Sequence, residues 1–488
     1  MTKEIRRLSI IVAFMFVALF ASTSIIQVVQ ASALAKDPNN RRAVYDGFEV
    51  RRGPIIAGGE QIARSQATDD DYAYQRVYEE PDLWSGITGW INPVLGSATG
   101  IEQAMNQELS GFADSGFLSR LNQIVTGQEP RGSSVELTVD PAVQRAARDA
   151  MVDMGYSGAV VAIEPDTGRI LALTTTPGYD SNALTTHDAA QVTSAYEELE
   201  ADERNPLINR ALNATYAPGS TFKLVVAAAA LASGDYTPDS TFKNPSEYTL
   251  PGTSFKIRNA PFGPCGGSSA DTVSLADAVT HSCNIPMAQL AEELGEDAIR
   301  EQAEKFGFGS SFETPITSAV STYPTGMSDD QVAQTGYGQF DVRTTPLQVA
   351  QWTAAIANDG VEMDPWLVDQ IVGDDLSVQN DYGPSERGRA LDADDADSVT
   401  EMMVSSVAAG AATNARIEGV DVAGKTGTAE NGTDDPYTLW FTGFAPAENP
   451  EVAVAVVVED GGGQGQSGDG NTIAAPIAKK VMEAVLAQ

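Results

Sequence analysis

Behind Tyr216-Ala217-Pro218-Gly219-Ser220-Thr221-Phe222-Lys223 runs Leu224-Val225-Val226-Ala227-Ala228-Ala229-Ala230-Leu231, a stretch with no polar side chain to offer water. A helix that is apolar on every side has to be buried, so this run carries whatever begins it into a core. Pro218 and Gly219 break the chain just ahead, which places Ser220 at the N-terminal end of the expected helix. Residues three apart share a helical face, so the Lys223 amine can reach the Ser220 hydroxyl. A serine hydroxyl is a weak nucleophile by itself. A lysine in apolar surroundings gives up its proton more easily and can serve as the base that activates it. The backbone N–H groups of a helix N-terminus also face any oxyanion formed there.

The tetrapeptide alone is a weak signal, and the chain contains its own control. Ser-Thr-Phe-Lys occurs again at Ser240-Thr241-Phe242-Lys243, between Thr237-Pro238-Asp239 and Asn244-Pro245. Pro245 forbids a continuing helix and no apolar run follows, so this copy reads as a polar loop.

At 488 residues the chain has room for two or three domains, and its net charge of −37 excludes the basic footprint of a nucleic-acid binder. The acidity otherwise suits a soluble, self-repelling surface. Residues 8–29 carry no charge and are dominated by Ile, Val, Phe, Leu and Ala, long enough to cross a bilayer as a helix. Ala31-Ser32-Ala33 resembles a cleavage site, but the apolar run is longer than that of a usual signal peptide. Lys3, Arg6 and Arg7 precede the span and predict a cytoplasmic tail (1–7), a membrane anchor (8–29) and an extracytoplasmic body, although Lys36, Arg41 and Arg42 beyond it weaken the charge argument. The only cysteines, Cys265 and Cys283, fit one disulfide outside the cytoplasm, with two separate buried thiols as the alternative. His187 and His281 are the only histidines, which gives little support to a histidine metal site or a Ser-His-Asp triad.

Residues 30–130 are mixed and polar, with a helix expected at 100–109 and no chemical constellation. They read as a pedestal ending in the linker 126–134, ahead of a catalytic domain at 131–488. There, a strand at 135–139 leads to a helix opened by Asp140-Pro141, and strands at 159–164 and 169–175 form a hairpin. The acidic stretch 197–203 reads as a solvated face. Short helices are expected at 275–280 and 286–293, longer ones at 346–358, 396–409 and 472–486, and strands at 420–429, 438–445 and 452–458. The glycine-rich segment 461–470 lacks the Gly-Lys-Ser/Thr ending of a phosphate cradle and reads as a flexible connection. Together these make an α+β domain around a largely antiparallel sheet.

Two further motifs follow in chain order. Ser282-Cys283-Asn284 lies between the two short helices. Lys425-Thr426-Gly427-Thr428 lies within a strand, where Gly424 and Gly427 suggest close approach of another backbone or a ligand. Ser-x-x-Lys opening a helix, then Ser-x-Asn, then Lys-Thr-Gly on a strand is the set of β-lactamases and penicillin-binding proteins. With Arg52-Gly53-Pro54-Ile55, Gly100-Ile101-Glu102 and Gly336-Tyr337-Gly338-Gln339 also present, the chain resembles a class B penicillin-binding protein of the actinobacterial type over nearly its whole length. Cys283 departs from the commoner Asp or Ser in the middle of the second motif.

The resemblance implies a serine β-lactamase/transpeptidase-like domain, an antiparallel sheet with helices on both sides, plus a dimerisation-type pedestal and one transmembrane helix. It implies acyl transfer on peptidoglycan stem peptides or their lipid-linked precursor. Ser220 would be the nucleophile, Lys223 its base, and Ser282 a proton relay aided by Lys425. Asn284, Thr426, Gly427 and Thr428 would hold substrate, and the N–H groups of Ser220 and Thr428 would form the oxyanion hole. β-Lactams would be trapped on Ser220, no metal or organic cofactor is implied, and a SEDS-type glycosyltransferase within the division or elongation machinery would be the partner. The alternatives are a D,D-carboxypeptidase, a β-lactamase (disfavoured because no Glu-x-x-Leu-Asn lies between Asn284 and Lys425), and a membrane-anchored β-lactam sensor or scaffold.

Overall fold

A computed structural model describes residues 2–26, 30, 50–111, 131–260 and 262–488. Helix α1, Thr2–Ser24, is the one helix among the described residues long and apolar enough to cross a membrane. The end of the expected span at 27–29, Ala31-Ser32-Ala33, Lys36, Arg41, Arg42 and the linker residues 126–130 lie outside the described residues.

The pedestal comprises β1 (Ile55–Ala57), β2 (Glu60–Ala67), β3 (Tyr74–Tyr78) and α2 (Pro81–Thr88). The helix expected at 100–109 is broken at Met105 into α3 (Gly100–Ala104) and α4 (Asn106–Leu109). Strand β4 (Ser134–Leu137) then runs parallel to β1, with Ile55 opposite Val135. Helix α5 (Pro141–Val152) starts where Asp140 Oδ1 accepts from Ala142 N and Val143 N at 2.8 and 3.1 Å.

The expected catalytic domain is built on β5 (Gly158–Ile163) and β6 (Ile170–Thr176). The acidic stretch falls on α6 (Ala189–Ala201), which is mostly solvated. A 3-10 turn, Gly219–Phe222, leads into α7 (Lys223–Ala232). Next come α8 (Leu275–Thr280) and α9 (Asn284–Lys305), longer than expected because the chain continues through a break at Gly295. Helices α10 (Asp329–Thr335) and α11 (Pro346–Ala357) precede β7 (Val368–Val372) and β8 (Val378–Asp381). Helix α12 (Ala393–Ala409), strands β9 (Ala423–Ala429), β10 (Thr438–Ala445) and β11 (Val452–Val458), and helix α13 (Ala474–Leu486) complete it.

The central sheet has the order β9-β10-β11-β5-β6, antiparallel throughout. Strands β10 and β11 are buried at every residue, as continuous apolar strands are when both faces are covered. Ala453, Ala455 and Val457 share a core with α7 and α11, whereas Val452, Val454, Val456 and Val458 pack with α5 and α13. The expected sheet with helices on both sides is thus present. A second, mixed sheet of order β8-β7-β4-β1-β2-β3 joins pedestal strands to catalytic-domain strands.

Two readings need correction. The second Ser-Thr-Phe-Lys copy is not simply loop: Thr241–Lys243 is a strand paired with Thr272–Ser274, because Phe242 is buried against the main core. The 461–470 segment is not a loose connection either. Gly470 lies against β9, where a Cβ would come within 2.6 Å of Gly427 O.

Candidate active site

The Ser220 turn is fixed from below by α7, whose residues from Lys223 to Leu231 are all buried. Phe222 stacks on Tyr323 at 5.9 Å between ring centroids and meets Phe308 and Trp352 edge-on. From the side it is fixed by β9. Gly219 has φ +51°, and a Cβ there would lie 2.9 Å from Thr428 O. At Gly427 a Cβ would lie 3.0 Å from Pro218 O. The glycine expected to mark a close approach does so. Trp440 Nε1 donates to Ala217 O at 2.9 Å and ties the same turn to β10.

Ser282 occupies the left-handed region, φ +58°, in the turn between α8 and α9. Cys283 is joined to Cys265 by a disulfide. The neighbouring loop adds a second tie that the sequence did not announce. Asn259, 2% exposed, accepts from Asn284 N and Ile285 N on one Oδ1, each at 2.9 Å, and so caps α9. Its Nδ2 donates to Gly263 O at 3.0 Å.

Three segments distant in sequence meet here. Lys223 Nζ donates to Ser282 O at 2.6 Å and Asn284 Oδ1 at 2.8 Å, with Ser282 Oγ at 3.4 Å. Lys425 Nζ donates to Ser282 Oγ at 2.6 Å and Thr426 O at 2.9 Å. Ser282 Oγ therefore sits between the two amines. Ser220 is half-buried at the end of its turn, and its hydroxyl makes no hydrogen bond among the described residues; the expected contact to Lys223 is not formed in this structure. Thr426 is buried and commits its single O–H to Ala411 O at 3.3 Å, whereas Thr428 is half-buried and its hydroxyl makes no hydrogen bond among the described residues. His281 packs against Gly266 and His187 pairs with Asp70, so neither histidine enters this cluster.

Both lysines are fully buried. Burial, then the nearby Lys425 charge, holds the Lys223 amine well below the usual lysine range. Burial brings Lys425 down to about 7. A neutral Lys223 donates two N–H bonds, to Ser282 O and Asn284 Oδ1, and keeps a lone pair for a hydroxyl proton. A hydroxyl at the head of a buried helix, a neutral amine beside it and a second amine across a bridging serine can together move a proton during acyl transfer.

Known proteins show the same arrangement of domains. The family model of the penicillin binding protein transpeptidase domain matches residues 158–483, and that of the penicillin binding protein A dimerisation domain matches residues 52–135. The chain is 40% identical over 498 residues to peptidoglycan D,D-transpeptidase PbpA of Mycolicibacterium smegmatis, covering 100% of this chain and 99% of that one. Its identity to the protein of the same name from Mycobacterium tuberculosis is 40% over 494 residues, with the same coverage. Among solved structures, the ceftriaxone acyl-enzyme complex of penicillin-binding protein A from M. tuberculosis superposes with a TM-score of 0.86 at 39% identity, covering 91% of this chain and 100% of that chain. With the transpeptidase model matched across two thirds of its residues and full-length relatives at this identity, the chain belongs to the penicillin-binding protein transpeptidase family.

Proposed function

We propose that the protein is a peptidoglycan D,D-transpeptidase that cross-links stem peptides through an acyl-enzyme on Ser220 and is blocked there by β-lactams. The observation that carries this reading is the chain of contacts Lys223, Ser282, Lys425 beside the Ser220 turn, with both amines buried and Lys223 shifted toward its neutral form.

Ser220 Oγ attacks the carbonyl of the penultimate D-Ala while its proton passes to Lys223 Nζ. The oxyanion is received by the N–H groups of Ser220 and Thr428, each worth roughly 3 kcal/mol. The C–N bond then breaks, and a proton relayed through Ser282 Oγ goes to the leaving D-Ala amine. Lys425 polarises Ser282 and, with Thr428, holds the terminal carboxylate. Thr426 braces the strand from behind, Gly427 lets the nucleophile turn approach, and Asn284 holds the peptide amide. An amine of a neighbouring stem peptide attacks the ester and returns Ser220. We assign residues 1–7 to the cytoplasm, 8–29 to a membrane anchor, 30–130 to the pedestal and 131–488 to the extracytoplasmic catalytic domain, working with a SEDS-type glycosyltransferase in division or elongation.

Fluorescent penicillin is expected to label the wild-type chain and Ser240→Ala, and to leave Ser220→Ala unlabelled. Labelling of Ser220→Ala at the wild-type level overturns the assignment. Lipid-linked peptidoglycan strands should yield cross-linked dimers; D-Ala release without dimers makes the protein a carboxypeptidase instead.

A further inference from the structure

The loop after α10 touches both halves of the expected oxyanion site. Gly219 N donates to Gly338 O at 3.0 Å, and Gly338 has φ +72°, with its Cα packed so closely on Gly219 O that a Cβ would overlap it. The next residue reaches the other way. With its amide oriented to satisfy both groups, Gln339 Nε2 donates to Glu430 O at 3.2 Å and Oε1 accepts from Glu430 N at 3.0 Å. One loop thus holds the backbone beside Ser220 and the residue that follows β9. The loop itself is anchored, since Gly338 N and Gln339 N donate to Thr335 O and Gln334 O at 2.9 and 3.1 Å.

Strand β9 is the edge of its sheet, with β10 on one side only. Glu430, one residue past β9, has its N–H and C=O gripped by a single amide as the outward pair of an extended residue is, and two residues back along an extended chain Thr428 presents its own pair to the same edge. Thr428 O does lie against the Ser220 turn. The Gln339 clasp therefore grips the next outward-facing pair along the edge that carries the Thr428 N–H, about 7 Å away at strand spacing. An edge strand without such a tie is free to lean from the turn opposite it, and the separation of the Ser220 and Thr428 N–H groups would vary with it.

Resting on the acyl-transfer reading of the site, we propose that Gln339 is a positioning residue for acylation: by clasping Glu430 it holds the Thr428 N–H at the distance from the Ser220 N–H that the oxyanion requires. It touches no reacting atom. Its effect belongs to the covalent step, because the oxyanion exists only in the transition state and the intermediate.

The test is stopped-flow acylation of the full-length chain by a fluorescent penicillin, resolving the pre-covalent dissociation constant from the acylation rate constant, with active-site titration and a thermal midpoint for every variant. For Gln339→Ala the rate constant should fall roughly tenfold to a hundredfold, in the range for an ångström-scale misplacement. The dissociation constant should stay within about twofold, because ground-state binding does not use the oxyanion contacts. Gln339→Glu supplies a second readout. An ionised carboxylate can accept from Glu430 N but repels Glu430 O, whereas the protonated carboxyl can donate to that oxygen as the amide does. The rate of Gln339→Glu relative to wild type should therefore recover as pH falls and the introduced carboxyl protonates.

An unchanged rate constant in Gln339→Ala overturns the proposal. So does a loss confined to the titratable fraction or thermal midpoint with normal rates in the surviving sites, and so does a relative rate for Gln339→Glu that is flat with pH. Failure of the wild-type chain to be acylated is a different result, and it sinks the reading of the site.

Discussion

Lys223 and Lys425 are the same residue type in one cavity, yet the proposed acyl transfer asks opposite things of them. Lys223 must be neutral to take the Ser220 proton, and its burial beside Lys425 lowers its pKa in that direction. Lys425 must be charged to draw a carboxylate and polarise Ser282, and burial alone brings it to about 7. Loss of the Lys223 proton, made easier by burial and by the Lys425 charge, creates the base and speeds acylation; loss of the Lys425 proton at about 7 removes the cation and slows it. The second-order rate constant for acylation by penicillin, which reports the free enzyme, should be bell-shaped, with one limb set by Lys223 losing its proton and the other by Lys425 losing its own. In Lys425→Arg the cation persists to high pH, so the descending limb should vanish even though the altered geometry lowers the rate throughout. Rates measured across the pH range for both proteins decide this, and a descending limb retained in Lys425→Arg assigns it to another group.

The elements around the site differ in how openly the sequence displays them. Strand β11 begins and ends where its apolar run does, and β10 is buried throughout around Leu439-Trp440-Phe441, because a strand covered on both faces leaves no ambiguity about burial. The Ser220 turn was legible for the same reason, since an eight-residue apolar run is placed by its own composition. The ties that aim the motifs were not legible. Asn259 and Gln339 bind backbone groups far away in sequence, and an Asn ahead of Ala260 or a Gln after Gly338 carries no periodic signal. The strand Thr241–Lys243 was hidden in another way, because a tertiary contact to Phe242 overrides a polar local context. Asn259 has a measurable consequence. Asn259→Ala orphans Asn284 N and Ile285 N at the start of α9 and should cost about 1 kcal/mol, read as a lowered midpoint in thermal or denaturant melts. Asn259→Asp retains the acceptor and should recover most of that loss. Equal destabilisation by both substitutions would trace the effect to packing rather than to the cap.

At the scale of the whole molecule, pedestal and catalytic domain are joined by backbone. Strand β1 pairs with β4, β4 with β7, and Gln144 of α5 donates to Leu83 O of α2 at 3.3 Å and to Leu173 O of β6 at 3.1 Å. Arg148 and Asp82 add an ion pair at 2.7 Å across the same boundary. Within the pedestal, Glu102 is fully buried between Arg52 and Arg76, with Arg52 Nη2 at 2.8 Å. Burial pushes the Glu102 carboxyl up, but the two guanidiniums outweigh it and hold the group below its ordinary value. Removing the carboxylate leaves two desolvated cations facing each other, a loss of about 3–5 kcal/mol for a broken buried pair. If the shared sheet makes the described parts of the body one cooperative unit, Glu102→Ala should shift a single calorimetric transition downward and create no second one. Folded Glu102→Ala, titrated with penicillin, should acylate at the wild-type rate constant, because Glu102 makes its contacts within the pedestal. A separate low-temperature transition, with catalytic-domain melting unchanged, would show that the pairing of β1 with β4 does not couple the two.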